Sequence, residues 1–271
     1  MKNAATSMAK IFAVTNQKGG VGKTTTVVNL SASLATMGKK VLLVDLDPQG
    51  NATTGSGITK DELTPSVYDT LIGQASLADV IQPSAFGHYD VVPANRSLAG
   101  AEVELVSGEQ REYRLKQALT TVHQRYDYVL IDCPPALNLL TLNGLTAANK
   151  LIIPMQCEYY ALEGLTDLLQ TIRRVRAHLN PGMSIEGLLR TMLDPRSSLA
   201  QQVSLELDKH FPGKIYKTAI PRNVRLAEAP SYGKPAIHYD PSSKGAQAYI
   251  ELAREFIERQ MGVIRDKEAR C

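Results

Sequence analysis

Residues 18–25 have the side chains and the spacing of a phosphate-binding loop, reading Lys-Gly-Gly-Val-Gly-Lys-Thr-Thr after a short apolar run. Glycines let the backbone curl so that successive N–H groups point at one anion, and a helix that starts there adds the positive end of its dipole. A lysine at this position neutralises the β- and γ-phosphates of a nucleotide, and the hydroxyl after it binds Mg²⁺. The loop therefore predicts a nucleotide site made by Gly19, Gly20, Val21, Gly22, Lys23, Thr24 and Thr25.

Three carboxylates follow apolar runs that have the character of buried parallel strands. Asp45 and Asp47 come after residues 41–44, and Asp132 comes after residues 128–131. Parallel strands end at one edge of an open sheet, where such sheets bind ligands. ATP hydrolysis needs a bridging Mg²⁺, a positioned water and positive charge at the phosphates. We assign Asp132 (through water), Asp45 and Thr24 to the metal, and Asp47 and Lys23 to catalysis; a turn or a helix cap is the plainer role for any one carboxylate.

No other group of side chains competes for this chemistry. The five histidines are scattered over segments with an exposed character, and we assign them structural roles. Cys133, Cys157 and Cys271 lack metal-ligand spacing and cannot all pair within one chain, so we expect reduced cysteines. No apolar run approaches the roughly 20 residues that cross a bilayer, and residues 1–10 contain no leader-like apolar stretch, which predicts a cytoplasmic protein.

The loop departs from the common pattern at its first position, where Gln17 stands in place of glycine, and it carries a second lysine, Lys18. This is the deviant Walker A form, and in it the chain resembles the ParA/MinD family of ATPases. The resemblance extends over nearly the whole chain and is nearest to the short chromosomal ParA (Soj) branch. It rests on further segments at residues 98–102, 156–164, 191–194 and 220–231.

The resemblance implies roles for single residues around the nucleotide. In the family the extra lysine, here Lys18, reaches across a nucleotide-sandwich homodimer to the phosphates of the other subunit. Such a lysine resembles an arginine finger, so we expect ATP and not ADP to drive dimerisation, with Lys18 catalytic. Pro221 and Asn223 would flank the adenine, since proline offers an apolar wall and an amide can read a base edge.

The same resemblance implies non-specific binding of the dimer to double-stranded DNA. Arginines at the positions of Arg196 and Arg225 contribute to it in this branch, and Arg222 is a further candidate. Residues 168–244 carry twelve Lys and Arg against six Asp and Glu, whereas the whole chain has a net charge of only +3. Such a basic region suits a polyanion, although arginines are often solvated or paired with neighbours such as Glu228. With no DNA-reading extension ahead of the loop, site recognition would fall to a ParB-type partner that stimulates the ATPase, and the protein would be nucleoid-associated.

Strand and helix patterns alternate along the chain, which predicts an α/β fold with a mostly parallel sheet and helices on both faces, P-loop NTPase-like. We predict one domain from residue 10 to 262, a flexible start at 1–9 and a frayed end at 263–271. The predicted strands are residues 11–14, 41–44, 89–92, 128–131, 151–154, 185–192 and 215–218; the predicted helices are 24–37, 98–106, 113–123, 162–179, 199–210 and 243–260, with a short one opening at Ser66.

Two other functions fit the same fold. A MinD-like membrane-associated ATPase would end in a basic amphipathic helix, and Ile250, Ala253, Ile257, Met261 and Ile264 form an apolar stripe. Nearby acidic residues almost cancel the basic ones, so we expect the stripe to pack on the domain core and the protein to bind no membrane. A metabolic enzyme related to cobyrinate synthesis would need a co-substrate pocket, for which we find no motif.

Overall fold

A seven-stranded sheet forms the centre of the molecule, whose computed structural model describes residues 8–60, 63–86, 88–159 and 161–262. The strands are β1 (Lys10–Val14), β2 (Val41–Asp45), β3 (Gln82–Pro83), β4 (Asp90–Val92), β5 (Tyr128–Asp132), β6 (Lys150–Gln156) and β7 (Ser184–Thr191). Their order is β3-β4-β2-β5-β1-β6-β7, and every neighbouring pair is parallel except β3 with β4. The predicted α/β fold with a mostly parallel sheet is confirmed.

Helices cover both faces of this sheet. They are α1 (Lys23–Thr36), α2 (Asn51–Gly55), α3 (Val67–Leu71), α4 (Leu77–Val80), α5 (Leu98–Glu104), α6 (Arg114–Leu119), α7 (Leu139–Ala147), α8 (Ala161–His178), α9 (Ser198–His210), α10 (Val224–Glu228), α11 (Ala236–Tyr239) and α12 (Lys244–Gln260). Alternate strand residues belong to two apolar clusters. Ala13 and Val129 pack with α3 to α9, whereas Phe12 and Leu130 pack with α1, α2 and α10 to α12.

Continuous apolar sequence lets these strands lie inside the molecule. Every residue of β2 and of β5 is buried, because a strand covered on both faces needs apolar side chains on both. The aspartates that end the two strands, Asp45 and Asp132, are also buried and are the residues of these strands that are not apolar. The predicted strands at 11–14, 41–44, 89–92, 128–131, 151–154 and 185–192 are all present, with ends shifted by one or two residues.

The predicted strand at residues 215–218 is wrong. Only Ile215 forms an isolated bridge, with Leu188 of β7. The carboxylate of Glu255 in α12 accepts hydrogen bonds from the N–H groups of Lys217 and Thr218, both at 2.8 Å. Because those donors are already used, they cannot continue a ladder along β7. The helix predicted at 113–123 is also shorter than expected, since α6 ends at Leu119.

The last helix packs on the core, as predicted, but only part of the predicted stripe lies on the buried face. Tyr249, Leu252, Ala253 and Phe256 are buried, and the Phe256 ring lies 4.7 Å from that of Phe12. From the predicted stripe, Ile250 and Ile257 are only half-buried, Met261 is 72% exposed, and Ile264 lies outside the described residues. None of the described helices is both long and apolar enough to span a membrane.

The described part of the chain begins at residue 8, two residues before the predicted domain, and ends with that domain at residue 262. Ala9, which we expected in a flexible start, is buried, and its N–H donates to the carbonyl of His123 at 3.3 Å. Residues 1–7 and the predicted frayed end at 263–271, with Cys271, lie outside the described part of the chain. Cys133 and Cys157 are buried and unpaired, and burial raises the pKa of each thiol.

Candidate nucleotide-binding site

The glycine loop connects β1 to α1 at the middle of the sheet edge. Gly20 and Gly22 have φ of 73° and 86°, a left-handed conformation that favours glycine. Among the described residues, none of the backbone N–H groups from Gly19 to Thr25 has a hydrogen-bond acceptor. A run of unpaired N–H groups at the start of a helix is what a phosphate chain requires.

Lys23 lies in this loop with its amine turned back over it. The side chain is buried, and Nζ donates to the carbonyl oxygen of Lys18 at 3.1 Å. Burial lowers the pKa of Lys23, while the charge of Asp132 opposes that shift. A desolvated amine held above unpaired N–H groups is placed to bind an anion in the loop.

Two side chains of the loop fix its first half, by hydrogen bonds to a carbonyl of β6 and to a side chain of α8. Asn16 donates to the carbonyl of Pro154 at 2.8 Å and accepts from the N–H of Lys18 at 3.0 Å. Gln17, which stands in place of the usual glycine, donates to the hydroxyl of Thr171 at 3.1 Å. The non-glycine residue at this position therefore anchors the loop to α8.

The two strand-end carboxylates face each other across neighbouring strands. Asp45 and Asp132 are register partners in β2 and β5, and both are buried. Burial, and next the charge of Asp45, raise the pKa of Asp132 well above its ordinary value, while the Thr24 hydroxyl and the Lys23 amine act in the opposite direction. Neither oxygen of Asp132 has a hydrogen-bond partner of ordinary geometry in the described part of the chain. A buried carboxylate beside a threonine hydroxyl, with both oxygens unused, fits a Mg²⁺ ion or its bound water.

Asp45 has a second task that the sequence suggested only as the plainer alternative. Its Oδ2 accepts from the N–H and the hydroxyl of Thr53 in α2, both at 2.8 Å, and its Oδ1 accepts from the N–H of Asp47 at 3.1 Å. Burial raises the pKa of Asp45 to about 6, against these hydrogen bonds. Oδ2 therefore accepts two hydrogen bonds that hold α2 in place. Oδ1 accepts one hydrogen bond and can still bind a further group. Asp47 is half-buried, and its Oδ1 accepts from the N–H of Gln49 at 2.9 Å.

The second lysine of the loop points to another part of its own chain. The amine of Lys18 lies 2.7 Å from the carboxylate of Glu158, just beyond β6, and the two side chains are 44% and 50% exposed. No sequence pattern indicated this pair, since its members are 140 positions apart. Lys18 is therefore held at the mouth of the loop and not over it.

The residues expected around the base lie beside the end of β7. Pro221 forms an isolated bridge with Leu193. The side-chain oxygen of Asn223 is buried and has no partner among the described residues. Thr191 ends β7, and its methyl carbon would lie 3.7 Å from a Cβ placed on Gly22, so this side of the site adjoins the phosphate loop. The sequence pointed to residues 191–194 only by resemblance and gave Thr191 no role.

The three arginines expected at DNA lie on the surface. Arg196 makes a two-pronged contact with Asp194, at 3.0 and 2.9 Å, and this contact lowers the pKa of Asp194 to about 2. Arg225 lies 2.8 Å from Glu228 and 3.3 Å from Asp240. Arg222 is exposed and forms no ion pair with any described residue. The pairing of Arg225 with Glu228 is the alternative that the sequence left open.

A glycine loop, a lysine and strand-end carboxylates at the edge of a parallel sheet define a P-loop NTPase. In the described part of the chain, no cluster of three His, Cys, Asp or Glu side chains could hold a metal alone. Residues 9–185 match the family model described as an AAA domain. The chain is 60% identical over 248 residues to the sporulation initiation inhibitor protein Soj of Bacillus subtilis, covering 92% of this chain and 98% of Soj. It is 49% identical over 264 residues to the chromosome partitioning protein ParA of Caulobacter vibrioides, covering 97% of each. The chain belongs to the ParA/Soj family of chromosome-partitioning P-loop ATPases, as the deviant loop and the further resembling segments predicted.

A solved structure supports the fold assignment over almost the whole length. Cobyrinic acid a,c-diamide synthase from Mycobacterium smegmatis, crystallised with bound ADP and magnesium, has a TM-score of 0.82 and is 39% identical. The match covers 94% of this chain and 96% of the synthase. The P-loop NTPase-like fold is therefore confirmed by the topology of the sheet and by this neighbour.

Proposed function

We propose that this protein uses ATP and Mg²⁺ to move DNA: an ATP-bound sandwich homodimer binds double-stranded DNA without reading its sequence and releases it after hydrolysis. A ParB-type partner stimulates the hydrolysis, and the protein is cytoplasmic and associated with the nucleoid. The observation that carries the proposal is the position of Lys18. Its amine lies on Glu158 outside its own phosphate loop, so it is available to phosphates that a second copy presents.

The nucleotide is bound by backbone N–H groups that have no other partner among the described residues and by the amine of Lys23. The unpaired N–H groups from Gly19 to Thr25 hold the phosphates, and Lys23 neutralises them. Pro221 and Asn223 flank the adenine. The buried oxygen of Asn223 is an acceptor without a partner among the described residues, and it would accept from the amine that adenine carries at C6, where guanine has an oxygen.

A bound Mg²⁺ would supply positive charge beside the phosphates. Thr24 and Asp132 would hold it, since Asp132 is buried with both oxygens unused, and Oδ1 of Asp45 would support the ion from the neighbouring strand. Asp47 lies farther along the loop, and its Oδ2 is not engaged by any described residue. That oxygen orients the attacking water.

Arg196→Ala and Arg225→Ala are each expected to weaken duplex binding several-fold and to leave ATP binding unchanged. Both arginines pair with carboxylates at the surface, where solvent weakens ion pairs, so DNA phosphates can replace those partners. Losing one phosphate contact should also reduce the slope of log affinity against log salt by about 0.9. Fluorescence anisotropy of a labelled duplex with ATP, at two salt concentrations, measures both quantities.

Arg254→Ala is the matched control for this experiment. Arg254 is exposed on α12 and pairs with Glu251 three residues earlier, as Arg225 pairs with Glu228 three residues later. Its removal should leave duplex binding unchanged. Equal losses of duplex affinity in all three variants would mean a diffuse charge effect. Unchanged duplex affinity in both Arg196→Ala and Arg225→Ala would refute the proposed DNA surface.

The MinD-like alternative gains no support from α12. The apolar face of this helix is buried against Phe12 and Tyr128, with ring separations of 4.7 and 5.1 Å from Phe256. A helix whose apolar face is already covered has little to insert into lipid. Flotation with anionic liposomes and ATP tests the alternative, and ATP-dependent recovery of the protein with the liposomes would favour membrane association over DNA binding.

The synthase alternative predicts a different stimulant of ATP turnover. Duplex DNA together with a ParB-type partner should raise phosphate release if the protein partitions DNA, whereas a small acid or amide acceptor should raise it in a synthase. The central experiment measures the size of the protein by light scattering without nucleotide, with ADP and with ATP, each with and without duplex DNA. A single unchanging mass under all conditions would contradict the proposed cycle.

A further inference from the structure

The hydroxyl of Thr191 connects the end of β7 to the phosphate loop. Its oxygen lies 2.8 Å from the carbonyl of Val21 and 3.1 Å from the carbonyl of Met155. A hydroxyl has one proton, so it can donate fully to only one of them, and Val21 is the nearer. Val21 is 1% exposed, and its carbonyl receives no other hydrogen bond from the described residues. Thr191 itself is 2% exposed.

The direction of that carbonyl fixes the direction of the next N–H group. In a planar trans peptide the C=O and N–H point to opposite sides, and the carbonyl of Val21 shares its peptide with the N–H of Gly22. The N–H of Gly22 has no acceptor among the described residues. When Thr191 binds the carbonyl from the β7 side, the N–H is turned towards the opposite side of the loop.

We propose that Thr191 is a positioning residue for the nucleotide, one that aims the Gly22 N–H at the phosphates through the Val21–Gly22 peptide. The inference rests on the proposed nucleotide binding and extends it to a residue without an assigned role. The conformation around Gly22 makes such support necessary. The carbonyl of Gly22 accepts from the N–H of Thr26 at 2.9 Å, but the Val21–Gly22 peptide before this left-handed residue (φ of 86°) has no hydrogen bond to the loop or α1 among the described residues.

The same strand end also supports the base side of the site. Met192 follows Thr191 with φ of 50°, an unusual conformation for a residue other than glycine, and the N–H of Leu193 donates to the carbonyl of Ile220 at 3.0 Å. Pro221 is bridged to Leu193. One turn of chain at the end of β7 thus holds the phosphate loop on one side and the proposed adenine wall on the other.

Thr191→Val tests the role of the hydroxyl, because valine keeps the shape and removes the donor. The N–H of Gly22 binds phosphate equally before and during hydrolysis, so the loss should appear as weaker binding and not as slower turnover. We expect the Kd for ATP and for ADP to rise about tenfold, with turnover at saturating ATP changed by less than about twofold. Titration of a fluorescent ADP or ATP analogue with Mg²⁺ measures affinity, and phosphate release measures turnover.

Two further variants separate this role from a general loss of stability. Thr191→Ser keeps the donor and should bind both nucleotides within about threefold of the wild type. Thr146→Val removes a buried hydroxyl that bonds to the carbonyl of Asn143 at 3.0 Å in α7, and it should lower the melting temperature without changing nucleotide affinity. If Thr191→Val does not fold, Thr191→Ala replaces it.

Unchanged affinity in Thr191→Val, or a loss in Thr191→Ser as large as in Thr191→Val, would overturn the inference. A wild-type protein that binds neither ATP nor ADP with Mg²⁺ would overturn it together with the proposed function. A wild type that binds both nucleotides while Thr191→Val binds them equally well removes only the role of Thr191.

Discussion

Lys18→Ala is expected to abolish ATP-dependent dimerisation and to lower stimulated ATP turnover by about 10³- to 10⁵-fold, the range found for cations supplied in trans to a transferring phosphate. ATP binding to the monomer should stay within a few-fold of the wild type. The reason is geometric: the Lys18 amine lies on Glu158, while its backbone carbonyl, which the substitution keeps, accepts from Lys23 at 3.1 Å. Light scattering with ATP, phosphate release and nucleotide titration measure the three effects separately.

Glu158→Gln is the informative companion to this variant. The pair that it disrupts is about half exposed, and such pairs hold their members weakly, so Lys18 can leave Glu158 when another anion is offered. We expect Glu158→Gln to dimerise with ATP at the wild-type concentration or at one lower by up to about fivefold. Lys40→Ala, at an exposed residue between α1 and β2, should behave like the wild type. Normal dimerisation and turnover in Lys18→Ala would mean that the amine does no work in a second subunit, whatever Glu158→Gln does.

The sequence predicted most of the strands because their residues are compatible with few other structures. Runs such as residues 128–131 are apolar on both faces, and only a strand buried between two layers accommodates them. It missed α7 for a related reason: Leu140, Asn143 and Leu145 are all buried, so the helix has no polar face to give a 3.6-residue period. Gly144 also lowers the helix propensity of this segment, and a larger residue does not fit there because a Cβ would lie 2.7 Å from the sulfur of Cys133.

In the candidate site too, some residues were predicted from the sequence and others were revealed only by the structure. The loop and the strand-end aspartates were predicted because their roles depend on local order: a turn before a helix, and carboxylates at the ends of adjacent strands. Glu158 and Thr191 could not be found like this, since they meet the loop from 140 and 170 positions away. The second role of Asp45 could not be predicted either, because its hydrogen bond to Thr53 depends on the position of α2. Local chemistry was thus predictable, whereas the groups that hold it in position depend on the tertiary fold.

The buried carboxylate of Asp132 should lower the free energy of unfolding of the nucleotide-free protein at pH values where it is ionised. The pKa of Asp132 is raised in the folded state, mainly by burial and next by Asp45, so the folded protein holds this proton more tightly than the unfolded chain does. Stability is therefore full at pH values below the ordinary pKa of an aspartate and declines as the pH rises through the folded-state pKa. In the described chain, both oxygens of Asp132 lack a partner that would offset the cost of ionisation.

Asp132→Asn is accordingly expected to slow Mg²⁺-dependent hydrolysis about 10³-fold and to raise the melting temperature of the nucleotide-free protein at pH 8 by about 5 °C. The neutral amide avoids the buried charge but cannot bind the metal as a carboxylate does. The gain should shrink at pH 5, where more of the wild-type Asp132 is protonated. Thermal unfolding in chelator at both pH values, with exposed Asp167→Asn in α8 as a control, gives the comparison. An Asp132→Asn protein that melts below the wild type at pH 8, or that hydrolyses ATP normally, would show that this carboxylate is a structural group and not the metal's.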